Sequence, residues 1–185
     1  MNIEYHGPWP REVKIGKNGV VETSKTVEMK GVTPEMLDWF NKNLDLELYL
    51  KWHPDHIDRK KIERPGKSPI FLETQRVGNK VYKMRLKRSE RLPDGTHVSR
   101  LRYPLWVFHS ESKTVPTPTG VIRYSKGWVG TDFPVVGRLW NWYLRLFVLP
   151  DFMKRQFQHQ DEESVNTVNV LPRLYAEYMK KQRQG

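Results

Sequence analysis

The chain has 185 residues, which is enough for one domain with a substantial core and short for two. It contains no Cys, which excludes disulfides, thiol catalysis and metal sites built from thiolates. Its net charge of +11 raises the question of a nucleic-acid partner. No apolar run approaches about 20 residues, and the start of the chain is polar and charged. We therefore expect a soluble, cytoplasmic protein without a membrane partner.

The first part of the chain predicts an extended arm followed by a short helix. Residues 1–31 are punctuated by Gly and Pro, which is typical of irregular structure. In GVTPEMLDWFNKNL, Thr33 is a good N-cap and Pro34 suits the first helical position, so we predict a helix from about residue 34 to 44. The next stretch, LELYLKWHPDHID, is predicted to be extended, because Pro54 forbids a helix through it.

The middle of the chain is strand-like, and its basic residues follow the strand pattern. In KVYKMRLKR, apolar residues alternate with Lys and Arg, as in a half-buried strand with its basic side chains in solvent. No zinc-finger, RRM or KH signature accompanies them. We therefore interpret the positive charge as a solvated face and do not expect a nucleic-acid partner. The predicted strands are 69–77, 80–89, 97–109 and 119–129.

The last third of the chain predicts two helices. Residues 135–149 are apolar on most sides and predict a buried helix. A longer helix runs from about residue 152 toward 181 and is expected to be bent or divided before Pro172. Together with the strands, this order indicates an α+β fold in a single domain, 1–185, whose core is 32–181. A curved sheet around a long C-terminal helix leaves a cavity, and such cavities bind ligands.

Candidate functional residues are concentrated in YLKWHPDHID. This stretch places Tyr49, Trp52, His53 and His56 close together around Pro54. In an extended segment, residues 53 and 56 point to opposite faces, so at most one of the two His side chains enters the cavity unless the turn rearranges them. A surface turn with two solvated His residues is the alternative interpretation.

Three further candidates lie on predicted strands. Glu73 shares a strand face with Phe71 and Gln75, so it is either an edge charge or a cavity residue whose burial requires a cation. His109 ends the strand RYPLWVFH, and Tyr124 lies on the next predicted strand. An ordinary strand-end role is the alternative for both.

A last pair lies in FQHQDEESV, on the predicted C-terminal helix. His159 and Glu163 are four positions apart, so they share one helix face and could hold one ion together. Taken alone, this common spacing favours two solvated side chains. Because the chain lacks thiolates, a transition metal must be held by His and carboxylate groups, which suits zinc.

Five segments carry a resemblance to a known family: VTPEMLDWF, YLKWHPDHI, the strand with Glu73, FHSES…GVIRY and HQDEE…LPRLY. In this order, and over residues 31–178, the chain resembles diacetylphloroglucinol hydrolase and phloretin hydrolase. The resemblance implies a helix-grip, Bet v 1-like domain, in which a curved antiparallel sheet surrounds a long C-terminal helix. It also implies a bound zinc ion and suggests a homodimer.

The resemblance implies that the zinc ligands are His56, Glu73, His159 and Glu163. The HPDH element is one residue tighter than the usual version in that family. His53 is therefore an alternative ligand to His56.

The resemblance also implies a reaction, the hydrolysis of the carbon–carbon bond between an acyl group and a phenolic ring. Tyr49, His109 and Tyr124 match the residues that contact the substrate and assist catalysis, with Trp52 and His53 as neighbouring contacts. Helix-grip cavities host many functions, however. A non-hydrolytic cyclase or isomerase, or a protein that binds a small aromatic or polyketide-type compound, is the alternative, and the shorter length of this chain favours it.

Overall fold

A computed structural model describes residues 7–102, 107–131 and 136–184. A short 3-10 turn, Lys17–Gly19, connects the first two strands. In chain order, the strands and helices are β1 (Arg11–Ile15), β2 (Val21–Lys30), α1 (Pro34–Asn43), α2 (Leu46–Trp52), β3 (His56–Arg64), β4 (Lys67–Val77), β5 (Lys80–Arg91), β6 (His97–Arg102), β7 (Val107–Thr117), β8 (Gly120–Gly130), α3 (Val136–Phe147) and α4 (Leu149–Gln184).

The strands form one antiparallel sheet of eight, in the order β1-β2-β8-β7-β6-β5-β4-β3. The last strand in the sequence, β8, therefore pairs with β2, in a register that runs from Val21 opposite Val129 to Lys30 opposite Gly120. The sheet is curved, and the long helix α4 packs on its inner face. The predicted α+β, helix-grip architecture is confirmed.

Of the two short helices, the sequence predicts α1 but not α2. Helix α1 begins as predicted, because the Thr33 hydroxyl accepts a hydrogen bond of 3.3 Å from the Met36 N–H. The extended structure predicted after it is wrong, since Asp45 caps a second helix by accepting a hydrogen bond of 2.8 Å from the Leu48 N–H. Pro54 excludes a helix only from the residues beside it, and α2 ends before it.

The predicted strands are largely confirmed, and the N-terminal segment differs from its prediction. Residues 11–15 and 21–30 were expected to belong to an irregular arm, but they form β1 and β2 of the sheet. The alternation typical of a strand is hard to recognise in β2, because the side chains that it buries include Lys25 as well as apolar residues. The predicted strands 69–77 and 80–89 lie within β4 and β5, and 119–129 matches β8 except for its first residue. The predicted strand 97–109 covers β6, the start of β7 and residues 103–106, which lie outside the described part.

Both C-terminal helices depart from their predictions. Helix α3 was expected to be buried, but it is amphipathic and exposes large apolar side chains along one face. Helix α4 was expected to be bent or divided before Pro172; it is not divided, since one helix contains this proline, and a bend there stays a prediction. Among the described residues, no helix is long and apolar enough to cross a membrane.

The core consists of two apolar clusters that α4 connects. The first cluster contains Phe152, Met153 and Phe157 from the start of α4, packed on Val21 and Val129 of the sheet. The second contains Leu171 of α4 and, among others, Phe40, Tyr49, Val27 and Val121. Between Phe157 and Leu171, the inward face of α4 is largely polar. The middle of the domain is therefore held together by hydrogen bonds and ion pairs.

One buried ion network fixes this polar part of α4 to the sheet. Asp161 lies 2.5 Å from the Lys25 ammonium and 3.0 Å from the Arg11 guanidinium, and all three side chains are almost fully buried. Lys25 also donates to the Ser164 hydroxyl at 3.0 Å and to the Gln160 carbonyl at 3.1 Å. Burial lowers the pKa of Lys25, and the hydrogen bond to Asp161 opposes this shift. The network joins β1 and β2 to the centre of α4.

This network generates a stability prediction. Asp161→Asn is expected to lower the free energy of unfolding by about 3–5 kcal/mol, because two buried cations then lose a buried carboxylate partner. Urea denaturation followed by circular dichroism measures the change. The control is Glu47→Gln, which removes the exposed Glu47–Lys51 pair and is expected to change stability by less than about 1 kcal/mol. Equal effects of the two substitutions would contradict the assigned role of Asp161.

Candidate functional site

The turn between α2 and β3 brings two histidines into the interior. His53 is the C-cap residue of α2, and His56 is the first residue of β3. The His56 N–H donates to the His53 carbonyl at 3.1 Å, which closes the turn around Pro54. Both rings are buried, with centroids 5.1 Å apart. A turn and not an extended segment separates the two residues, so both enter the interior.

A third histidine comes from α4. The His159 ring is buried, and its centroid lies 4.6 Å from that of His53 and 5.6 Å from that of His56. One ring nitrogen of each residue lies within 4.8 Å of a nitrogen of the other two. Residues far apart in the sequence thus form a compact group of imidazoles, which we call the histidine cluster.

Glu163 supplies a carboxylate to the histidine cluster. Its Oε1 atom lies 3.1 Å from Nε2 of His56 and 3.5 Å from Nε2 of His159. The pair that has helical i, i+4 spacing therefore faces the interior and is not a solvated pair. A second group with ligand spacing, Asp55, His159 and Glu162, shares His159 and extends toward the surface.

The hydrogen bonds of His56 and His159 suit a metal ion. Nδ1 of His56 lies 2.9 Å from the Tyr49 carbonyl, which fixes the proton on Nδ1 because a carbonyl only accepts. In the neutral ring, the Nε2 lone pair then points at the Glu163 carboxylate, an arrangement that requires a cation between them. Among the described residues, Nδ1 of buried His159 has no hydrogen-bond partner, and its Nε2 has only the 3.5 Å contact with the Glu163 carboxylate. Unsatisfied buried atoms of this kind are expected where an ion binds, so these residues fit a metal.

The remaining two candidates for a metal ligand have other partners. Nδ1 of His53 accepts a hydrogen bond of 3.1 Å from the Asp55 N–H, which places the proton of the neutral ring on Nε2. Glu73 is buried on the inner face of β4 and forms an ion pair with Arg59, its register partner on β3. Each would have to give up an existing partner before it could bind a metal.

Charge at the histidine cluster is balanced by protons in the absence of a metal. Burial by itself would raise the pKa of Glu163, but hydrogen bonds from His159 and His56 outweigh it and lower that pKa. Burial likewise opposes the charged form of His159, yet Glu163 raises its pKa. Burial and the neighbouring His159 lower the pKa of His53. The carboxylate therefore attracts a cation, which is either a proton on His159 or a metal.

An interior cavity adjoins the histidine cluster through Glu163. The inner chamber has a volume of about 190 Å³ and is bounded by α4 and the inner face of β2, β7 and β8. A wider chamber of about 490 Å³ lies between α1 and the sheet. Both chambers are lined by Ser112 and Arg123. The inner chamber is polar, with Thr23, Ser110, Ser112, Ser125, Arg123, Gln160, Glu163 and Ser164 among its lining residues.

Arg123 lines this cavity together with Arg11 and Lys25, and it was not predicted from the sequence. Its Nε atom is buried and has no hydrogen-bond partner in the described part of the chain. Burial lowers its pKa, and Glu163 opposes that shift. On β8, it alternates with Tyr124, so the two side chains lie on opposite faces of the sheet. In the sequence, the signal that residue 123 faces inward is its position two residues after apolar Val121 on the same predicted strand.

His109 and Tyr124 lie on neighbouring strands, as the resemblance implies, but on the outer face of the sheet. His109 is paired in register with Trp128, and their ring centroids are 5.3 Å apart. Together they line a groove of about 510 Å³ on that face. Tyr124 is 47% exposed. The sheet separates both residues from the interior cavity.

Tyr49 and Trp52 support the histidine cluster from α2. The Tyr49 ring stacks on His56, with centroids 3.8 Å apart and an angle of 6° between the rings, and its hydroxyl donates to Gln75 at 3.3 Å. The Trp52 indole donates to the Thr167 hydroxyl of α4 at 3.0 Å. Both side chains therefore support the cluster, and their contact with a substrate stays a prediction.

A double-mutant cycle tests this assignment for Tyr49. Tyr49→Phe keeps the ring on His56 but removes a donor from buried Gln75, so we expect it to cost about 1–3 kcal/mol of stability. Each single change leaves one buried polar group of the pair without its partner. The double variant, Tyr49→Phe with Gln75→Leu, removes both polar groups, so it should lose less stability than the sum of the two single changes. Urea denaturation of the four proteins gives the coupling. Additive effects would contradict the Tyr49–Gln75 bond.

Comparison with known proteins identifies the fold. No family model matches the sequence, and no curated protein matches it. Among solved structures, a START superfamily protein from Mycobacterium smegmatis has a TM-score of 0.58 and 14% identity, covering 83% of this chain and 98% of that one. The Zhui aromatase/cyclase from Streptomyces sp. R1128 has a TM-score of 0.51 and 11% identity, covering 83% and 90%.

A third similar structure is longer than this chain. The di-domain ARO/CYC BexL from the BE-7585A biosynthetic pathway has a TM-score of 0.59 and 12% identity, over 83% of this chain. The match covers 50% of that protein, so this chain spans about half of its length. The hydrolase family that the sequence resembles has no representative among these three structures. At such low identities the likeness concerns the fold alone, and the chain has a helix-grip, Bet v 1-like fold.

Proposed function

We propose that this chain binds a small aromatic or polyketide-type compound in its interior cavity and acts on it beside a metal ion. The single observation that carries the proposal is the position of Glu163. This residue belongs both to the wall of the cavity and to the histidine cluster. A ligand in the inner chamber would therefore lie between the candidate metal site and Arg123.

The proposed metal ligands are His56, His159 and Glu163, with zinc as the metal that suits nitrogen and oxygen ligands. His53 and Glu73 compete for a fourth position. When bound, zinc supplies a Lewis acid that polarises a carbonyl oxygen or activates a water molecule. Tyr49 contributes indirectly, because its carbonyl holds the Nδ1 proton of His56 and leaves Nε2 free for the metal.

The polar chamber favours a ligand that is rich in oxygen atoms. Arg123 is the cavity group suited to a phenolate or enolate oxygen, because a buried guanidinium without a full set of partners gains most from an anion. The hydroxyls of Ser110, Ser112 and Ser125 can each donate to or accept from a ligand oxygen. The wider chamber, at about 490 Å³, is of the size that binds small organic molecules.

We propose cyclisation or isomerisation as the first choice of reaction. In a cyclisation, a proton leaves the carbon beside one ketone, that carbon bonds to a second carbonyl carbon, and loss of water completes the ring. Because Glu163 is a proposed metal ligand and its pKa is lowered, a water molecule in the cavity is the candidate acceptor of the proton, while Arg123 stabilises the oxyanion that develops. The fold shared with two aromatase/cyclases supports this choice, as does the position of His109 outside the cavity.

Hydrolysis of an aryl ketone is the second candidate, and the histidine cluster with Glu163 favours it. In this reaction the oxygen of water joins the acyl carbon to give an acid, and a proton joins the ring carbon as the carbon–carbon bond breaks. The proton donor would have to be a cavity group, because His109 and Tyr124 lie on the outer face of the sheet.

The metal proposal predicts about one zinc ion per chain. Protein purified without chelator or nickel resin is analysed for metal content, and zinc affinity is measured by competition with a coloured chelator. His159→Ala and Glu163→Gln should each weaken zinc binding at least tenfold, because each removes a ligand. The matched control is His109→Ala, which removes a histidine from the outer sheet face and should leave the affinity unchanged.

Two further variants assign the fourth ligand, and one result rejects the site. His53→Ala and Glu73→Gln are compared, and the larger loss of zinc affinity identifies the ligand. Folded parent protein that neither contains nor binds zinc would exclude the metal centre. Equal affinity in the parent and His159→Ala would place any bound zinc elsewhere.

The ligand proposal predicts that Arg123→Met weakens the binding of acylphloroglucinols about tenfold or more, since a charged hydrogen bond is lost. Calorimetry measures the affinity. Arg173→Met, at an exposed position of α4, is the matched control and should bind as the parent does. Equal binding by parent and Arg123→Met would contradict the assigned anchor.

Mass spectrometry then separates the two reactions. The zinc-loaded protein is incubated with acylphloroglucinols, dihydrochalcones and linear poly-β-ketones. Isomerisation leaves the mass unchanged, cyclisation removes water, and hydrolysis adds water and yields an acid with a deacylated phenol. Hydrolysis products would replace the first choice with the second, and binding without conversion of any compound would leave a ligand-binding protein.

A further inference from the structure

Helix α3 exposes an unusually apolar face. Val136 is 73% exposed, Leu139 71% and Phe147 68%. With the helical rotation of 100° per residue, the exposed apolar residues form one stripe about 140° wide. The stripe consists of Val136, Leu139, Trp142, Tyr143, Leu146 and Phe147. Contiguous apolar surface of this kind marks an interaction site.

The opposite face of α3 fixes the helix on the domain, so the stripe is held outward. Asn141 is buried, and its amide donates to the carbonyls of Asn18 and Thr131 at 3.0 Å each. Its Oδ1 atom accepts from the Thr131 N–H at 2.9 Å. Leu144 is fully buried in the first apolar cluster. Rotation of α3 to bury the stripe would break all of these contacts.

The described charged residues that border the stripe are positive. Arg138 and Arg145 border the same edge of it, and α3 contains no acidic residue. Lys154 is exposed on the following helix, whereas the nearby acid Asp151 is paired with Arg155. The whole chain carries a net charge of +11. An apolar stripe edged by cations is complementary to an anionic lipid surface.

The same charges disfavour a second copy of the chain as the occupant. In an antiparallel pairing of two α3 stripes, Arg138 of one copy would meet Arg145 of the other without an acid on either helix. Two chains of net charge +11 also repel each other. Trp142 and Tyr143 are, in contrast, the residue types that settle at the boundary between lipid and water.

We propose that α3 binds the surface of membranes that contain anionic lipids, lying in the interface with its apolar stripe among the headgroups. The sequence predicts no membrane partner, because none of its apolar runs is long enough to span a bilayer. A helix that lies in the interface needs no such segment. The proposal is independent of the reaction and of the metal, because α3 contributes no residue to the histidine cluster.

Vesicle co-sedimentation of the full-length chain tests the proposal. Vesicles of phosphatidylcholine alone are compared with vesicles that also contain phosphatidylglycerol. We expect binding to the anionic vesicles, weakening as salt is added. Leu139→Gln combined with Phe147→Gln should reduce the partition coefficient about tenfold or more, because two large apolar contacts are lost. Arg138→Gln should reduce it about fivefold and only on anionic vesicles.

The matched control replaces two exposed apolar residues elsewhere, Ile15→Gln with Val81→Gln, and should bind like the parent. Circular dichroism confirms that each variant is folded. Equal binding by the parent and the α3 double variant would overturn the proposal, as would no binding to anionic vesicles. A parent that is dimeric by light scattering, with a monomeric α3 double variant, would identify a second copy as the occupant instead.

Discussion

The structure depends on charge that is buried at the centre of α4. Asp161 and Glu163 are two positions apart, so their carboxylates leave the helix on different sides. Asp161 is neutralised by Lys25 and Arg11, which ties α4 to the first strands of the sheet. Glu163 faces His56 and His159, which ties α4 to the turn after α2. Buried carboxylates are tolerated only with such partners, so the two networks set the position of the helix against both halves of the sheet.

The polar centre also explains why a cavity persists between helix and sheet. The apolar clusters at the two ends of the contact between α4 and the sheet are closely packed. If the centre collapsed, the serine and arginine side chains of β7 and β8 that line the cavity would lose their hydration without gaining hydrogen bonds to the protein. Arg123 shows this most clearly, since its Nε atom has no hydrogen-bond partner within the described protein. The domain thereby holds a hydrophilic interior volume directly beside an anionic group and three imidazoles.

Much of the fold follows from local signals. The sequence predicts strand β5 from its alternating apolar and basic residues, and the start of α1 from Thr33 and Pro34. Both features depend only on residues within one strand or one turn. Helix α2 was not predicted, although Asp45 is a good N-cap. Pro54 was taken to exclude a helix from the whole stretch, whereas it excludes one only from the residues beside it. Helix α3 was predicted to be buried because its composition is apolar. Composition does not reveal which face packs, and in the structure one face of α3 packs on α4, the Lys17–Gly19 turn and β8.

In the candidate site, too, some features follow from the sequence and others only from the tertiary structure. The sequence by itself determined the available chemistry: no thiolate, a His–Glu pair on one face of a helix, and two histidines around a proline. Only the tertiary structure decided which of these groups meet. His53 and His56 converge because a turn separates them, Glu73 is held by Arg59, and His109 and Tyr124 lie beyond the sheet because strand register, set by distant partners, assigns each residue to a face. Residue types are local information, whereas a site is a set of distances between segments that the sequence does not contain.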